Sequence, residues 1–114
     1  SVYENTQIEN VAIHPGQTRQ TSPILFEEGL SPDSTRRLCD AVLQTATGIC
    51  AVFSKKEEGY AYALGSKEID LRLFVKDLNT ALRGRGGGKP GFVQGSVLAT
   101  EAEIRSFFEA VQKQ

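Results

Sequence analysis

The chain has 114 residues, of which 39% are hydrophobic, and its formal net charge is −1. This length suits one domain with its own core, the composition excludes global disorder, and the balanced charge excludes a protein that coats nucleic acid through its overall charge. No apolar run approaches the roughly 18 residues that span a bilayer, and no signal peptide is visible, so we expect no membrane partner. The sequence contains no methionine, which indicates a segment of a longer protein or a protein with a processed start.

Residues 1–21 carry only weak structural signals. Short apolar groups at residues 2–3 and 11–13 are compatible with pieces of strand, and residues 14–16, His-Pro-Gly, are typical of a turn. We interpret residues 1–21 as a linker or an edge strand, and residues 22–114 as one domain.

The first half of that domain predicts a strand, a helix and a hairpin. Residues 24–26 form a short apolar run typical of a buried strand. Residues 31–33, Ser-Pro-Asp, are typical of a helix start, and an apolar stripe at i, i+3, i+4, i+7 spacing follows them. Gly48 is expected to end this helix. Residues 49–53 and 60–64 are apolar runs on either side of a charged turn, which predicts a hairpin.

The second half predicts two further helices and one strand. Residues 71–82 carry an apolar stripe at helical spacing, and Gly84 is expected to adopt the left-handed conformation that follows a helix. A last strand is expected to be interrupted at residues 94–96, and residues 100–103 form a capping box for the closing helix. This order predicts a single α/β domain: a mixed β-sheet of about four to five strands with three helices packed on it.

The two cysteines give an expectation about the compartment. Cys39 and Cys50 lie in apolar stretches and form no CxxC pair. We expect both to be buried, reduced thiols, because a free cysteine behaves as a small apolar residue. Reduced thiols suit a cytoplasmic protein.

The glycine-rich stretch RGRGGGKPGFVQGSV, residues 83–97, imitates two nucleotide-binding motifs. Its letters match the pattern GxGxxG, but the dinucleotide-binding motif follows a strand and opens a helix. Here the stretch follows a predicted helix and enters a predicted strand. The phosphate-binding loop of nucleoside triphosphatases needs a glycine where Arg83 stands and a serine or threonine where Pro90 stands. Neither motif is therefore present.

The same stretch predicts a local anion site. Three consecutive glycines permit backbone conformations closed to other residues, and successive amides in a loop can form a concave anion nest. Between residues 72 and 89 five cations face a single acid, Asp77. The predicted site comprises Arg72, Lys76, Arg83, Gly84, Arg85, Gly86, Gly87, Gly88, Lys89 and Gln94. Two alternatives stay open: the stretch is a flexible turn with solvated charges, and Gln94 bonds the loop's own backbone rather than a nucleotide.

The same residues resemble a known family. GRGGGKPGFVQGS, together with the helix before it and the earlier segment SPDSTRRLCDAV, resembles the DHH-associated C-terminal domain of alanyl-tRNA synthetases and stand-alone alanyl-tRNA editing proteins. That domain also forms the second lobe of DHH phosphoesterases. The resemblance covers roughly residues 22–112. Arg83 replaces the first glycine of the family pattern GGxGGGxP, and the Lys89-Pro90 pair is similar to the alanyl-tRNA branch, since the phosphoesterase branch more often has histidine after the glycines.

The resemblance implies an accessory domain that holds alanine-accepting tRNA through its backbone phosphates and contributes to translation fidelity. Catalysis in that family lies in other domains, so no catalytic residue is expected in this fragment. Editing domains of the family bind zinc with HxxxH and CxxxH spacing. This chain has one histidine, His14, and neither spacing, so we expect no metal or other cofactor here. The resemblance leaves open whether the parent is a deacylase or a ligase.

Two other functions stay open at this point. The chain is alternatively the substrate-binding lobe of a DHH-type phosphoesterase that acts on nucleotides or single-stranded nucleic acid. It is alternatively a dimerisation module, in which residues 2–13 or the edge of the predicted hairpin pair with a second copy.

Overall fold

A computed structural model describes residues 22–112 of the chain. Five strands and three helices follow one another in the order β1, α1, β2, β3, α2, β4, β5, α3. The strands are β1 (Ile24–Glu28), β2 (Cys50–Lys55), β3 (Tyr60–Gly65), β4 (Arg85–Lys89) and β5 (Phe92–Val97). The helices are α1 (Pro32–Leu43), α2 (Leu71–Leu82) and α3 (Glu101–Gln112). The predicted linker or edge strand at residues 1–21 lies outside the described residues.

The strands form one mixed sheet in the order β1-β2-β3-β5-β4. β1 pairs parallel with β2, and every other neighbouring pair is antiparallel. The prediction of a single α/β domain with a mixed sheet of four to five strands and three helices is confirmed.

Helices cover both faces of this sheet. α1 packs on one face, where a buried cluster includes Leu38, Cys39, Val42, Cys50 and Val52. α2 and α3 pack on the opposite face, over a larger cluster that contains Phe53, Tyr62, Leu64, Leu78 and Ile104, among others. Because successive residues of a strand point to opposite faces, the apolar runs predicted as strands supply side chains to both clusters.

The two cysteines are buried and free of disulfide bonds, as expected. The Cys39 thiol lies 3.7 Å from the carbonyl oxygen of Cys50 and donates to it. Burial raises the pKa of the Cys50 thiol to about 12, and it also raises the pKa of the Cys39 thiol. Both groups are therefore protonated and unreactive at neutral pH.

The predicted hairpin is confirmed, but its position excludes one expectation. β2 and β3 pair from Cys50 opposite Gly65 to Lys55 opposite Tyr60. β1 covers the other side of β2, and β5 covers the other side of β3. The hairpin has no open edge among residues 22–112, so the hypothesis that its edge pairs with a second copy is wrong.

Three local expectations about element ends are also wrong. α1 ends at Leu43, with Gln44 as its C-cap, rather than at Gly48. Arg83, and not Gly84, adopts the left-handed conformation after α2, with a φ of 55°. β5 runs without interruption from Phe92 to Val97, because its neighbour β4 supplies pairing partners across residues 94–96.

Within residues 22–112, no helix has both the length and the apolar character needed to cross a bilayer.

Candidate nucleic-acid interface

The glycine-rich stretch is an edge strand rather than a loop. Residues 85–89 form β4, which pairs with β5 from Arg85 opposite Ser96 to Lys89 opposite Phe92. All five residues of β4 are exposed, and β4 is the last strand on its side of the sheet. The prediction of a concave nest of successive amides is therefore wrong, because pairing with β5 extends the backbone.

Close packing explains the glycine at position 86. A Cβ atom built on Gly86 would lie 2.3 Å from the carbonyl oxygen of Gln94 and 2.6 Å from the hydroxyl oxygen of Tyr62. Its φ of 147° is also a conformation that residues with a side chain rarely adopt. Gly95, directly opposite in β5, is equally crowded, with a would-be Cβ 2.7 Å from the Tyr62 ring. The two backbones approach each other over Tyr62 because neither residue has a side chain.

A side-chain pair between β3 and α2 fixes the position of β4. The Tyr62 hydroxyl lies 2.9 Å from Asn79 Oδ1 and donates to it, and Asn79 Nδ2 donates to the carbonyl oxygen of Gly86 at 3.3 Å. At the far end of β4, the amide of Leu71 donates to the carbonyl oxygen of Pro90 at 2.7 Å. Both ends of the strand are thus attached to α2.

Some main-chain groups of β4 face the open edge of the sheet, because β4 has a neighbouring strand on one side only. In an antiparallel pair, opposite residues alternate between exchanging two hydrogen bonds and exchanging none. The carbonyl group of Gly86 turns to Asn79 rather than to β5. Gly86, and by the same alternation Gly88, therefore present their amide groups to the open edge, where an anion can accept from them.

The charged side chains of β4 lie on the face of the sheet that carries α1. Arg85, Gly87 and Lys89 are opposite Ser96, Gln94 and Phe92, and Phe92 packs with the α1 cluster. Arg85 and Lys89 are about 13 Å apart along the strand. Between them Gly87 has no atom within 4 Å of a would-be Cβ. The site therefore consists of two cations on either side of a bare, accessible main-chain segment.

The three other predicted cations differ in their availability. Arg72 forms an ion pair with Asp70, with 2.7 Å between Nη2 and Oδ2, and the Arg72 side chain lowers the pKa of that carboxyl to about 2. Arg83 turns away from β4 and pairs with Glu103 at 2.9 Å. Lys76 is exposed on α2 and forms no ion pair within the described part of the chain.

The side chain of Gln94 does not bond the backbone of the glycine stretch. Its side-chain amide Nε2 donates to the carbonyl oxygen of Pro32 at 3.1 Å, so it links β5 to the start of α1. Gly84, also predicted as a site residue, precedes β4 and packs against Asn79 and Val97. Of the ten predicted residues, the structure thus brings five together on one exposed surface. We call this surface the β4 edge: Arg85, Gly86, Gly87, Gly88 and Lys89.

Sequence reasoning missed the residues that position this surface. Tyr62 and Asn79 hold β4, and each looks like an ordinary strand or helix residue in the sequence. Arg36 of α1 lies over the Phe92 ring, with its guanidinium carbon 5.8 Å from the ring centroid. No periodicity relates Arg36 to the glycine stretch, because the two lie about 50 residues apart and meet only through the sheet order.

The mixed sheet between two helical layers, with a bare cationic strand at one edge, defines a three-layer α/β domain. The family profile described as the DHHA1 domain matches residues 17–114. The chain therefore belongs to the DHHA1 domain family, as the sequence motifs indicate.

Comparison with solved structures supports the same fold. The chain is similar to the crystal structure of the C-Ala domain from Aquifex aeolicus alanyl-tRNA synthetase, with a TM-score of 0.64 and 19% sequence identity. The match covers 82% of this chain and 94% of that one. A comparison with curated protein sequences found no match.

Proposed function

We propose that this chain is the non-catalytic, tRNA-binding domain of a cytoplasmic alanyl-tRNA synthetase or alanyl-tRNA editing protein, and that it holds backbone phosphates along the β4 edge. Membership of the DHHA1 family and the fold shared with a C-Ala domain support the first part. Alanine-accepting tRNA is the ligand that this relationship favours.

The observation that carries the second part is the geometry of β4. Its two side-chain cations, Arg85 and Lys89, form no ion pair among residues 22–112, whereas Arg72 and Arg83 do. Outward amides at Gly86 and Gly88 lie along the same strand. Lysine and arginine neutralise phosphates, and backbone amides donate to their oxygens. Such contacts position a nucleic acid without reading its sequence, so identity elements would have to be read by another part of the parent protein.

Removal of the two β4 cations tests this proposal. The double variant Arg85→Ala, Lys89→Ala should bind tRNA more weakly than the parent chain. The slope of log affinity against log salt concentration should become shallower by about 1.4–1.8, since each lost phosphate contact contributes about 0.7–0.9. Binding is measured by fluorescence anisotropy at several salt concentrations.

A matched control removes two cations elsewhere. Arg37→Ala with Lys67→Ala makes the same change in net charge, but Arg37 pairs with Asp33 on α1 and Lys67 donates to the carbonyl of Gln44. This control should keep nearly the full slope. If both double variants give the same affinity and slope as the parent chain, the β4 edge is not the tRNA site.

A further inference from the structure

A groove lies beside the β4 edge, between α1 and the β4–β5 pair. Its volume is about 410 Å³, which is within the range of roughly 300–1,000 Å³ found for small-molecule sites. α1 supplies one wall, with Arg36 and Asp40, and the strands supply the other, with Gly87, Lys89 and Phe92. The groove opens because α1 packs over β2 and β3 and leaves this part of the sheet uncovered.

The wall of the groove carries an aromatic ring with a cation opposite it. Phe92 is partly buried against the α1 cluster, so its ring is held in place while one side lines the groove. The Arg36 guanidinium carbon is 5.8 Å from the centroid of that ring. The ion pair of Arg36 with Asp40 is long, at 4.0 Å, and its side chain is 57% exposed. Arg36 is therefore free to move by the small distance that is needed to admit a planar group between its guanidinium and the Phe92 ring.

The two sides of the groove carry opposite charges and therefore favour different ligand groups. Lys89, on the strand side, attracts a phosphate, whereas the carboxylate of Asp40, on the α1 side, repels one and can accept from an amino group. Gln94 also lines the groove, and its side-chain oxygen accepts no hydrogen bond from residues 22–112. A ligand with an anionic part over β4 and a flat, hydrogen-bonding part toward α1 matches this arrangement.

We propose that this groove binds one unpaired nucleobase, stacked between the Phe92 ring and the Arg36 guanidinium, of the strand whose phosphates lie on the β4 edge. Unpaired bases stack on aromatic rings and on guanidinium planes. A paired base is not available for this contact, so the groove selects a single-stranded segment, such as a loop, over a duplex. Gly87 is part of the site because any side chain there would project between the phosphates and the base. This inference rests on the proposed function.

Abasic oligonucleotides separate the two proposals. The full chain should bind a short single-stranded RNA at least about fivefold more tightly than a strand of the same length that lacks bases, since one stacked base contributes about that much. A duplex of the same sequence should show no such advantage. Phe92→Leu, which keeps an apolar contact with α1, should reduce the ratio of the affinities for the base-bearing and abasic strands to about one. It should leave the affinity for the abasic strand, and the salt dependence of that affinity, unchanged.

Two further variants control for folding and position. Arg36→Gln changes an exposed side chain and should also reduce the ratio of the two affinities, whereas the neighbouring Arg37→Gln should not. Phe74→Leu, on the opposite face of the sheet, should leave the ratio intact. Equal affinities for the base-bearing and abasic strands, or an unchanged ratio in both Phe92→Leu and Arg36→Gln, would overturn the stacking site while leaving phosphate binding in place. An affinity for both strands that does not respond to Arg85→Ala, Lys89→Ala would instead refute the proposed function.

Discussion

β3 and β4 belong to the same sheet but are held in it by different interactions. β3 lies in the middle of the sheet, and Tyr62, Ala63 and Leu64 are all at most 1% exposed. β4 lies at the edge, consists of three glycines between two cations, and has no buried residue. The side chains of β3 hold it in the core, whereas β4 is held by backbone pairing with β5 and by contacts with Asn79 and Tyr62.

This difference shows how a small domain can keep a strand ordered and still leave its surface free. Burial of apolar side chains stabilises β3 and leaves no group available for a ligand. β4 gains little from burial, so its amides and cations remain accessible. Three predictions test this division, and they are ordered by the size of the expected effect on stability.

The largest effect is expected from truncation of a side chain in β3. Leu64→Ala should lower the free energy of unfolding by about 2–5 kcal/mol, because it leaves a cavity in the core. The matched control is Leu73→Ala in α2, where the side chain is 74% exposed, and its effect should stay within about 0.5 kcal/mol. Urea unfolding followed by circular dichroism measures both. Equal losses for the two variants would mean that β3 does not depend on burial.

A smaller effect is expected within β4, and it should differ between adjacent glycines. Gly86→Ala should destabilise the domain by about 1–3 kcal/mol, because the new Cβ meets the backbone of Gln94 in a strained conformation. Gly87→Ala should change stability by no more than about 0.5 kcal/mol, since nothing lies within 4 Å. The same urea experiment compares them. A loss for Gly87→Ala as large as for Gly86→Ala would show that position 87 also has a structural role.

The smallest effect is expected from the hydroxyl group that joins the two strands. Tyr62→Phe removes the donor to Asn79 Oδ1 and should cost about 0.5–1.5 kcal/mol. Because the ring and its packing remain, the loss should be local to β4. Amide hydrogen exchange should show faster exchange in β4 and β5 than in the parent chain, with little change in β2. Uniform acceleration across the sheet would contradict an attachment that is specific to β4.

Much of the fold could be predicted from the sequence, because the side chains of most helices and strands follow recognisable local patterns. Ser31, in the predicted helix start, is the N-cap of α1, and its side chain accepts a hydrogen bond from the amide of Ser34. Likewise the apolar runs at 49–53 and 60–64 predict a hairpin that the structure contains. These signals are local, so no knowledge of the rest of the chain is needed.

The glycine stretch could not be predicted in the same way. Glycines weaken a strand by themselves, and RGGGK carries no apolar alternation, so the sequence favours a loop there. What makes it a strand lies outside the stretch itself: Tyr62 beneath it, Asn79 of α2 beside it, and β5, which follows after a two-residue turn. The pairing of Arg83 with Glu103 and the approach of Arg36 to Phe92 also depend on how the helices pack, and short-range patterns do not contain that information.

The charges on β4 have a consequence for self-association. An exposed edge strand is a template on which another strand can add, and this leads to aggregation. If two copies of β4 met antiparallel, Arg85 of one strand would approach Lys89 of the other, and like charges opposite each other destabilise such a pair. The two cations therefore protect an otherwise open sheet from growing by addition of its own copies, at the same place where the main chain is most accessible.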